Sequence, residues 1–251
     1  MSSSYKSITR QIAQSIRLIM TDIDGTLTEG GDSLISQVDD AIVKLERKGI
    51  LVGLVSGRTD SMLQKMAAQL NITGPLIAEN GAIARINPSA PLLELGYSRL
   101  PANEALAKLY AAYPGQVSER WDNSERMVDI VFRAEGVPIE ELRRLLPYVQ
   151  VLDSHYIMHI MQKGINKGET LLNILPLVAN GAIVKDQVMV AGDSATDLSL
   201  FEIFPVSVLI RNRRIPPEES RMLKKVAHYI SDNEQGYGFA EVASHILGLL
   251  G

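Results

Sequence analysis

Short apolar runs that stop at polar or turn-forming residues, spaced by stretches with a helical stripe, constrain this chain most. They cover residues 16–20, 50–55, 75–78, 187–191 and 206–210. Largely apolar runs of that length read as strands buried on both faces. Strands alternating with helices build a sheet wrapped on both sides, so the expected class is α/β with a doubly wound, mainly parallel sheet. The first helix reads from Ser36 as its cap, with Asp39 three residues on. Val38, Ala41, Ile42 and Leu45 form its apolar stripe, and Gly49 lies just past its end. A second helix reads over 60–70. Later ones start at Asn166, Asp197, Glu218 and Phe239, the last after a short strand at Tyr229.

From 83 to 161 the pattern becomes strand, helix, strand, helix, strand. Helices read over 102–113 and 138–146; the strands at 127–133 and 156–161 are more polar and alternate, as in a sheet with one wet face. A smaller α+β module at 83–161 is therefore expected, inserted into a core built from 16–82 and 162–251. Residues 1–15 read as a frayed tail or a short surface helix.

Two acids, Asp22 and Asp24, lie where the first strand gives way to a loop, and Gly25 permits an abrupt turn there. Carboxylates crowded in that way repel, so one holds a proton or a cation sits between them. Taken alone, the four residues fit an acidic turn equally well. Ser56 and Asp193 also follow apolar strands. Ligands of open α/β sheets bind beyond the carboxyl ends of strands, so all of these residues should face one crevice. Lys167 follows Asn166, a cap with Glu169 in capping-box position. A lysine in the first turn of a helix opposes the helix dipole, which points to an anion partner.

The run Asp22-Ile23-Asp24-Gly25-Thr26-Leu27-Thr28 resembles the nucleophile motif of the haloacid dehalogenase-like phosphohydrolases. Residues 52–58, Val-Gly-Leu-Val-Ser-Gly-Arg, resemble the family's second motif, a strand ending in Ser or Thr. Residues 163–168, Lys-Gly-Ile-Asn-Lys-Gly, resemble the lysine motif of its Cof-like branch. Residues 188–197 resemble the final acidic motif, and Glu79-Asn80-Gly81-Ala82 is a further marker of that branch. The motifs come in order and span the chain from Leu18 onward. The resemblance implies a Rossmann-like core carrying an α/β cap at the position of the 83–161 module. The small cap resembles that of archaeal-type phosphoglycolate phosphatases and of the sucrose-phosphate phosphatase-like group.

Four acids, Asp22, Asp24, Asp193 and Asp197, with one lysine and one hydroxyl, suit phosphoryl transfer. Oxygen ligands without His or Cys select a hard cation, Mg²⁺. By resemblance, Asp22 and Asp193 ligate it through carboxylates, residue 24 through its carbonyl, and Asp197 through water or a neighbouring group. Asp22 is then the nucleophile that forms an aspartyl phosphate, and Asp24 the general acid and base. That role calls for Asp24 off the metal, its carboxyl raised and in an environment unlike that of Asp22. Ser56, the Gly57 N–H and Lys167 hold the phosphate, joined by Asn212 beyond the strand at 206–210. Thr196 stands where the family usually has Asn. Thr keeps a hydrogen-bonding oxygen but is no amide, which bears on how the Asp197 loop is positioned.

Weaker candidates for substrate contact are Arg58, Arg120, Arg126 and His159; surface ion pairing or solvation of the cap explains the arginines equally well. His155 and His159 read as one strand face with no acid beside them, so zinc is not expected. A net charge of −4 argues against a general nucleic-acid binder and shows no polybasic membrane patch. The chain has no cysteine, which excludes disulfides and thiolate chemistry. No apolar run approaches membrane length and the N-terminus is not a secretory signal, so a cytoplasmic monomer or homodimer is expected. The expected activity is Mg²⁺-dependent hydrolysis of a small phosphate monoester, phosphoglycolate or a sugar phosphate. A phosphosugar mutase of the phosphomannomutase type shares the motifs and is the alternative.

Overall fold

A computed structural model describes residues 2–29, 33–93 and 95–251. In chain order the elements are β1 Ser3–Ser4, α1 Arg10–Ser15, β2 Leu18–Thr21, α2 Ser36–Arg47, β3 Leu51–Val55, α3 Asp60–Leu70, β4 Leu76–Ala78 and β5 Ile83–Arg85. Then come α4 Leu100–Ala112, β6 Val117–Glu119, β7 Ile130–Ala134, α5 Ile139–Leu145, β8 Val149–Asp153 and β9 Met158–Gln162. The chain closes with α6 Lys167–Ile174, β10 Val188–Gly192, α7 Leu198–Ile203, β11 Val206–Arg211, α8 Pro217–Val226, β12 Tyr229–Glu234 and α9 Gln235–Leu250.

Eight strands form one sheet in the order β1-β12-β11-β10-β2-β3-β4-β5. All neighbours are parallel except β4 and β5. Alternating side chains of the central strands go to opposite faces. Ile19, Val52 and Leu54 pack on one face with residues of α2, α3 and α9. Leu18, Met20, Val188 and Val190 pack on the other with α6, α7 and α8. The sheet runs outward from β2 through β3 and β4 on one side, and from β10 through β11 and β12 on the other. The strand order therefore reverses between β2 and β10, which opens a crevice at their carboxyl ends.

The second sheet, β6-β7-β9-β8, is antiparallel throughout. Ile130, Phe132 and Ile160 on one face pack under α4 and α5, against Leu106, Leu109 and Leu142. By alternation Asp129, Val131, Arg133 and His159 take the other face. That face is polar, as the sequence predicts, but it is not wet at its centre: Asp129 and His159 are buried because the face closes over the crevice. This smaller α+β cap is inserted between β5 and α6 of the α/β core.

Several local expectations shift. Ile83–Arg85 pairs with β4 as an edge of the large sheet rather than opening the cap. Residues 2–15 are built into the core: Ser3 and Ser4 extend the sheet beside β12, and a short helix forms there, α1, which packs near α9. Ser36 is the first helical residue, not the cap, and its hydroxyl bonds the Gln37 side chain. The terminal helix starts at Gln235, four residues early, because Gly236 is there for close packing: a Cβ on it would stand 2.7 Å from the Leu27 carbonyl oxygen. Among the described residues no helix is long and apolar enough to cross a membrane.

Candidate active site

Asp22 and Asp193 follow β2 and β10, the two strands flanking the crevice. The Asp22 N–H donates to the Ala191 carbonyl at 2.9 Å, which extends the ladder one step and fixes where the side chain leaves it. Asn166 caps α6 by accepting from the Glu169 N–H at 2.8 Å, as its sequence predicts. Lys167, the first residue of that helix, is thereby driven under the crevice and is 1% exposed. Its Nζ donates to Asp22 Oδ1 at 3.0 Å, Asp197 Oδ1 at 2.7 Å and Thr196 Oγ1 at 3.3 Å. Thr196 thus keeps a hydrogen bond to the lysine.

The remaining oxygens are held in turn. Asp197 Oδ2 accepts from the N–H groups of Asp193 and Ser194 at 3.0 and 3.1 Å, so Asp197 organises the loop after β10. Asp193 Oδ1 accepts from Thr26 Oγ1 at 3.0 Å, and its Oδ2 from Asn212 Nδ2 at 2.7 Å. Gly25 sits at φ +89°, and a Cβ there would collide with the Asp193 carboxylate and stand 2.5 Å from Asn212 Nδ2. Only glycine lets the loop after β2 approach that closely.

Ligand atoms of Asp22, Asp193 and Asp197 lie within 4.8 Å of one another, and all three side chains are buried. Burial pushes the Asp22 carboxyl up to about 7; Lys167 pulls it down, while Asp197 and Asp24 add to the rise. Asp193 is pushed well above the usual carboxylate range, by burial first and then by Asp22 and Asp197. Burial also opposes the charge on Lys167, but Asp197 and Asp22 overcome it and hold the ammonium above its ordinary value. Three buried carboxylates share one ammonium, an imbalance the protein alone relieves only by keeping protons on them. Oxygen donors with an excess of negative charge fit a hard divalent cation. Both oxygens of Asp193 and of Asp197 are already bonded, Asp193 by a hydroxyl and a side-chain amide, Asp197 by the Lys167 ammonium and two backbone N–H groups.

Above these carboxylates lies a cavity of about 360 Å³. Its floor includes Asp22, Asp24, Ser56, Gly57, Arg58 and Lys167; its roof includes Arg120, Arg126, Arg133, Tyr156 and His159. Asp24 and Asp22 do differ in environment: Asp22 is buried against Lys167, and Asp24 is partly exposed against Arg58. Asp24 is bonded at both oxygens by Arg58, from Nε at 2.9 Å and Nη2 at 2.7 Å. Asn212 does not line this cavity; it bonds Asp193 from behind. Arg126 lines it yet is 5% exposed. Its guanidinium goes to Asp129 at 2.6 Å, Asp122 at 2.9 Å and the Gly57 carbonyl at 3.0 Å. Arg120 is half exposed, with Nε 2.9 Å from Asp122 Oδ1 at an angle that makes an ion pair without a hydrogen bond.

Both histidines have acids beside them, contrary to expectation, because those acids arrive from other elements. His159 Nδ1 meets Asp129 Oδ2 at 2.7 Å. His155 lies in the turn before β9, not on the strand, and meets Glu219 of α8 at 2.8 Å. The acids point to different places, so no zinc site forms from the pair. Sequence reasoning missed Thr26, Asp129 and the chemistry of Glu79. Thr26 had a signal, its place in the nucleophile run. Glu79 accepts from the N–H groups of Met127, Val128 and Asp129 at 2.8, 2.8 and 2.9 Å, a contact across some fifty residues with no local signature.

The sequence profile of the haloacid dehalogenase-like hydrolases matches residues 19–112 and 135–242. The phosphoglycolate phosphatase of Methanospirillum hungatei is 32% identical over 232 residues, which cover 90% of this chain and 95% of that protein. That of Staphylothermus marinus is 27% identical over 245 residues, covering 92% and 98%. A crystal structure from Thermoplasma acidophilum superposes with a TM-score of 0.77 at 23% identity, over 93% of this chain and 99% of the other. The sucrose-phosphatase of Synechocystis, solved with sucrose and phosphate, gives 0.69 at 19% identity, over 91% and 97%.

Proposed function

This chain belongs to the haloacid dehalogenase-like hydrolases, as a phosphatase of phosphoric monoesters, and we propose that it is Mg²⁺-dependent and works through an aspartyl phosphate on Asp22. The observation that carries this reading is Lys167, buried beneath the cavity and bonded at once to Asp22 and Asp197, with Asp193 alongside. The carboxylates of Asp22 and Asp193 and the carbonyl of Asp24 would hold Mg²⁺, with Asp197 acting through Lys167 and the loop N–H groups. Bound there, Mg²⁺ supplies the positive charge that lets a carboxylate and a phosphate dianion approach each other.

Lys167 occupies Asp22 Oδ1, which leaves Oδ2 to attack phosphorus. That bond forms as the ester P–O bond breaks, and Asp24 gives a proton to the leaving oxygen. Water then attacks the acyl phosphate, Asp24 takes a proton from it, and phosphate leaves with Asp22 restored. Both transfers require Asp24 to part from Arg58 or share it with the substrate. Ser56 Oγ and the Gly57 N–H hold the non-bridging oxygens, and the charge of Lys167 beneath Asp22 offsets theirs. The names of the relatives favour phosphoglycolate, and a sugar phosphate is the other candidate; we place the enzyme in the cytoplasm.

The test is a screen of phosphate monoesters with Mg²⁺, reading phosphate release without a sugar acceptor, which a mutase would require. Asp22→Asn removes the nucleophile at constant size. It should fold normally and turn over at less than about 1% of the wild-type rate. Higher turnover would sink the covalent route.

A further inference from the structure

Glu79 and Asn80 are adjacent, and they face opposite tasks. Glu79 pins the cap through the three N–H groups at 127–129. Asn80 turns back into the cavity beside Gly57, with its backbone in the left-handed region at φ +57°. It is 3% exposed, and its Nδ2 has no hydrogen-bond partner among the described residues. A buried amide donor left unpaired is costly, and an acceptor oxygen on a bound ligand would remove that cost.

His159 reaches the same spot from the cap. It is 3% exposed, and Asp129 fixes its Nδ1 at 2.7 Å. Asp129 is a firm anchor. Burial pushes its carboxyl up, but His159 and Arg126 outweigh that and hold it below the usual carboxylate range. With Nδ1 spent on Asp129, the ring presents Nε2 to the cavity, where no described residue bonds it. A Cβ built on Gly57 would stand 2.9 Å from His159 Cε1 and 3.0 Å from Asn80 Nδ2. Both side chains therefore flank the phosphate-binding turn at the one residue that lacks a side chain to fill the gap.

We propose that Asn80 and the Asp129-aimed His159 form a pair that reads a polar group on the substrate's leaving group, close to the ester oxygen. Asn80 Nδ2–H donates to its oxygen, and His159 Nε2, which accepts from a hydroxyl when the ring is neutral and donates to a carboxylate when it is charged, meets it from the other side. A carboxylate or hydroxyl on the neighbouring carbon provides such an oxygen. Asp129 is a positioning residue, and the Glu79 latch carries it: the last of the three pinned N–H groups is Asp129's own. Seating the cap and aiming His159 are thus one event, and a cap that is not seated cannot read the substrate.

This rests on the phosphatase reading above, and the two fail differently. The full-length enzyme with Mg²⁺ is assayed on 2-phosphoglycolate, which carries a neighbouring carboxylate, and on p-nitrophenyl phosphate, which does not. Inorganic phosphate is included as an inhibitor. His159→Leu and Asn80→Asp should each lose about tenfold or more in kcat/KM on 2-phosphoglycolate, mostly through KM, and several-fold less on p-nitrophenyl phosphate. His159→Gln places an amide N–H near the Nε2 position and should recover part of the loss. Asn80→Asp and Asn80→Gly both tolerate the left-handed backbone, so unfolding does not confound that position. Asp129→Asn should shift KM in the same direction by less. Equal losses on both substrates with weaker phosphate inhibition would move the pair onto the phosphoryl group and overturn the proposal. Unchanged kinetics in His159→Leu and Asn80→Gly would overturn it outright. A wild type that hydrolyses neither ester would instead defeat the functional reading beneath it.

Discussion

Two buried clusters of charge face each other across the cavity, and they are balanced in opposite ways. Below it, Asp22, Asp193 and Asp197 share the single ammonium of Lys167. Above it, Asp122 and Asp129 meet the Arg126 guanidinium, His159 closes the other side of Asp129, and Glu79 is bonded by three N–H groups. The lower cluster is short of positive charge, which suits a cation and a phosphoryl group arriving together. The upper cluster is bonded largely within itself, with Arg126 Nε and Asp122 Oδ1 its atoms without a hydrogen bond, which suits a roof that must hold one position. A buried polar network rigidifies only when its members are satisfied, and an unsatisfied one is poised to bind.

Removing Lys167 should break the comparison most severely. Lys167→Met deletes the only ammonium among three buried carboxylates, and losing one partner of a buried pair costs about 3–5 kcal/mol. Urea unfolding in EDTA should show that loss, Mg²⁺ should restore part of it, and turnover should vanish. An unchanged midpoint in EDTA would mean that the carboxylates already carry enough protons to do without the lysine.

The floor was legible in the sequence and the roof was not, for a physical reason. Asp22, Ser56 and Asp193 each end a strand, and Lys167 begins a capped helix, so local pattern alone brings them to one crevice. The roof depends on pairs such as Glu79 with the N–H of Asp129 and Arg126 with the carbonyl of Gly57, which topology unites and no spacing announces. Arg126 and Arg120 look alike in sequence as basic residues of the cap. Burial separates them: one is spent inside the junction and the other stands at the cavity mouth. Asn212 shows the same limit, since a position beyond β11 does not reveal that its amide bonds Asp193.

Glu79 sharpens the contrast through pH. Its carboxyl is pushed up from 4.5 to about 7, by burial and then by Asp129, against the pull of its three N–H bonds. Between those values the folded state keeps a proton that the unfolded chain has released. The group's contribution is therefore complete below pH ~4.5 and is lost as pH rises toward ~7, with an upper bound of about 3 kcal/mol. Glu79→Gln should be less stable in absolute terms but should lose that part of the slope. Unfolding free energies of both proteins at about pH 5 and 8, with Mg²⁺ present to hold the floor constant, decide it. Equal slopes would show that Glu79 stays ionised and that its N–H bonds outweigh burial.

The two arginines come next. Arg126→Met leaves Asp122 and Asp129 without their buried partner and frees the Gly57 carbonyl, so both stability and phosphate binding should fall. KM should rise alike for p-nitrophenyl phosphate and 2-phosphoglycolate. Arg120→Ala should change stability by less than about 0.5 kcal/mol, as expected of a half-exposed pair. A selective effect of Arg126→Met on the natural substrate would return that residue to the list of substrate contacts.

The smallest expected effect lies at the second tie between cap and core. His155 Nε2 meets Glu219 Oε2 at 2.8 Å, and Glu219 Oε1 accepts from the Ala195 N–H at 2.7 Å, inside the loop that carries Asp193 and Asp197. The Glu219 hydrogen bond raises the imidazole above its ordinary 6.5. A raised histidine contributes stability that is complete below 6.5 and is lost as pH rises through the folded value. Solvent reaches both side chains, so the contribution should not exceed about 1 kcal/mol. His155→Gln keeps a donor for Glu219 and removes the charge. The wild type should therefore lead this variant in unfolding free energy at about pH 6 and lose most of that lead by about pH 8. A lead independent of pH would show a neutral hydrogen bond in its place. The tie would then resemble the N–H bonds that hold Glu79 in the roof more than the charge-starved floor beneath the cavity.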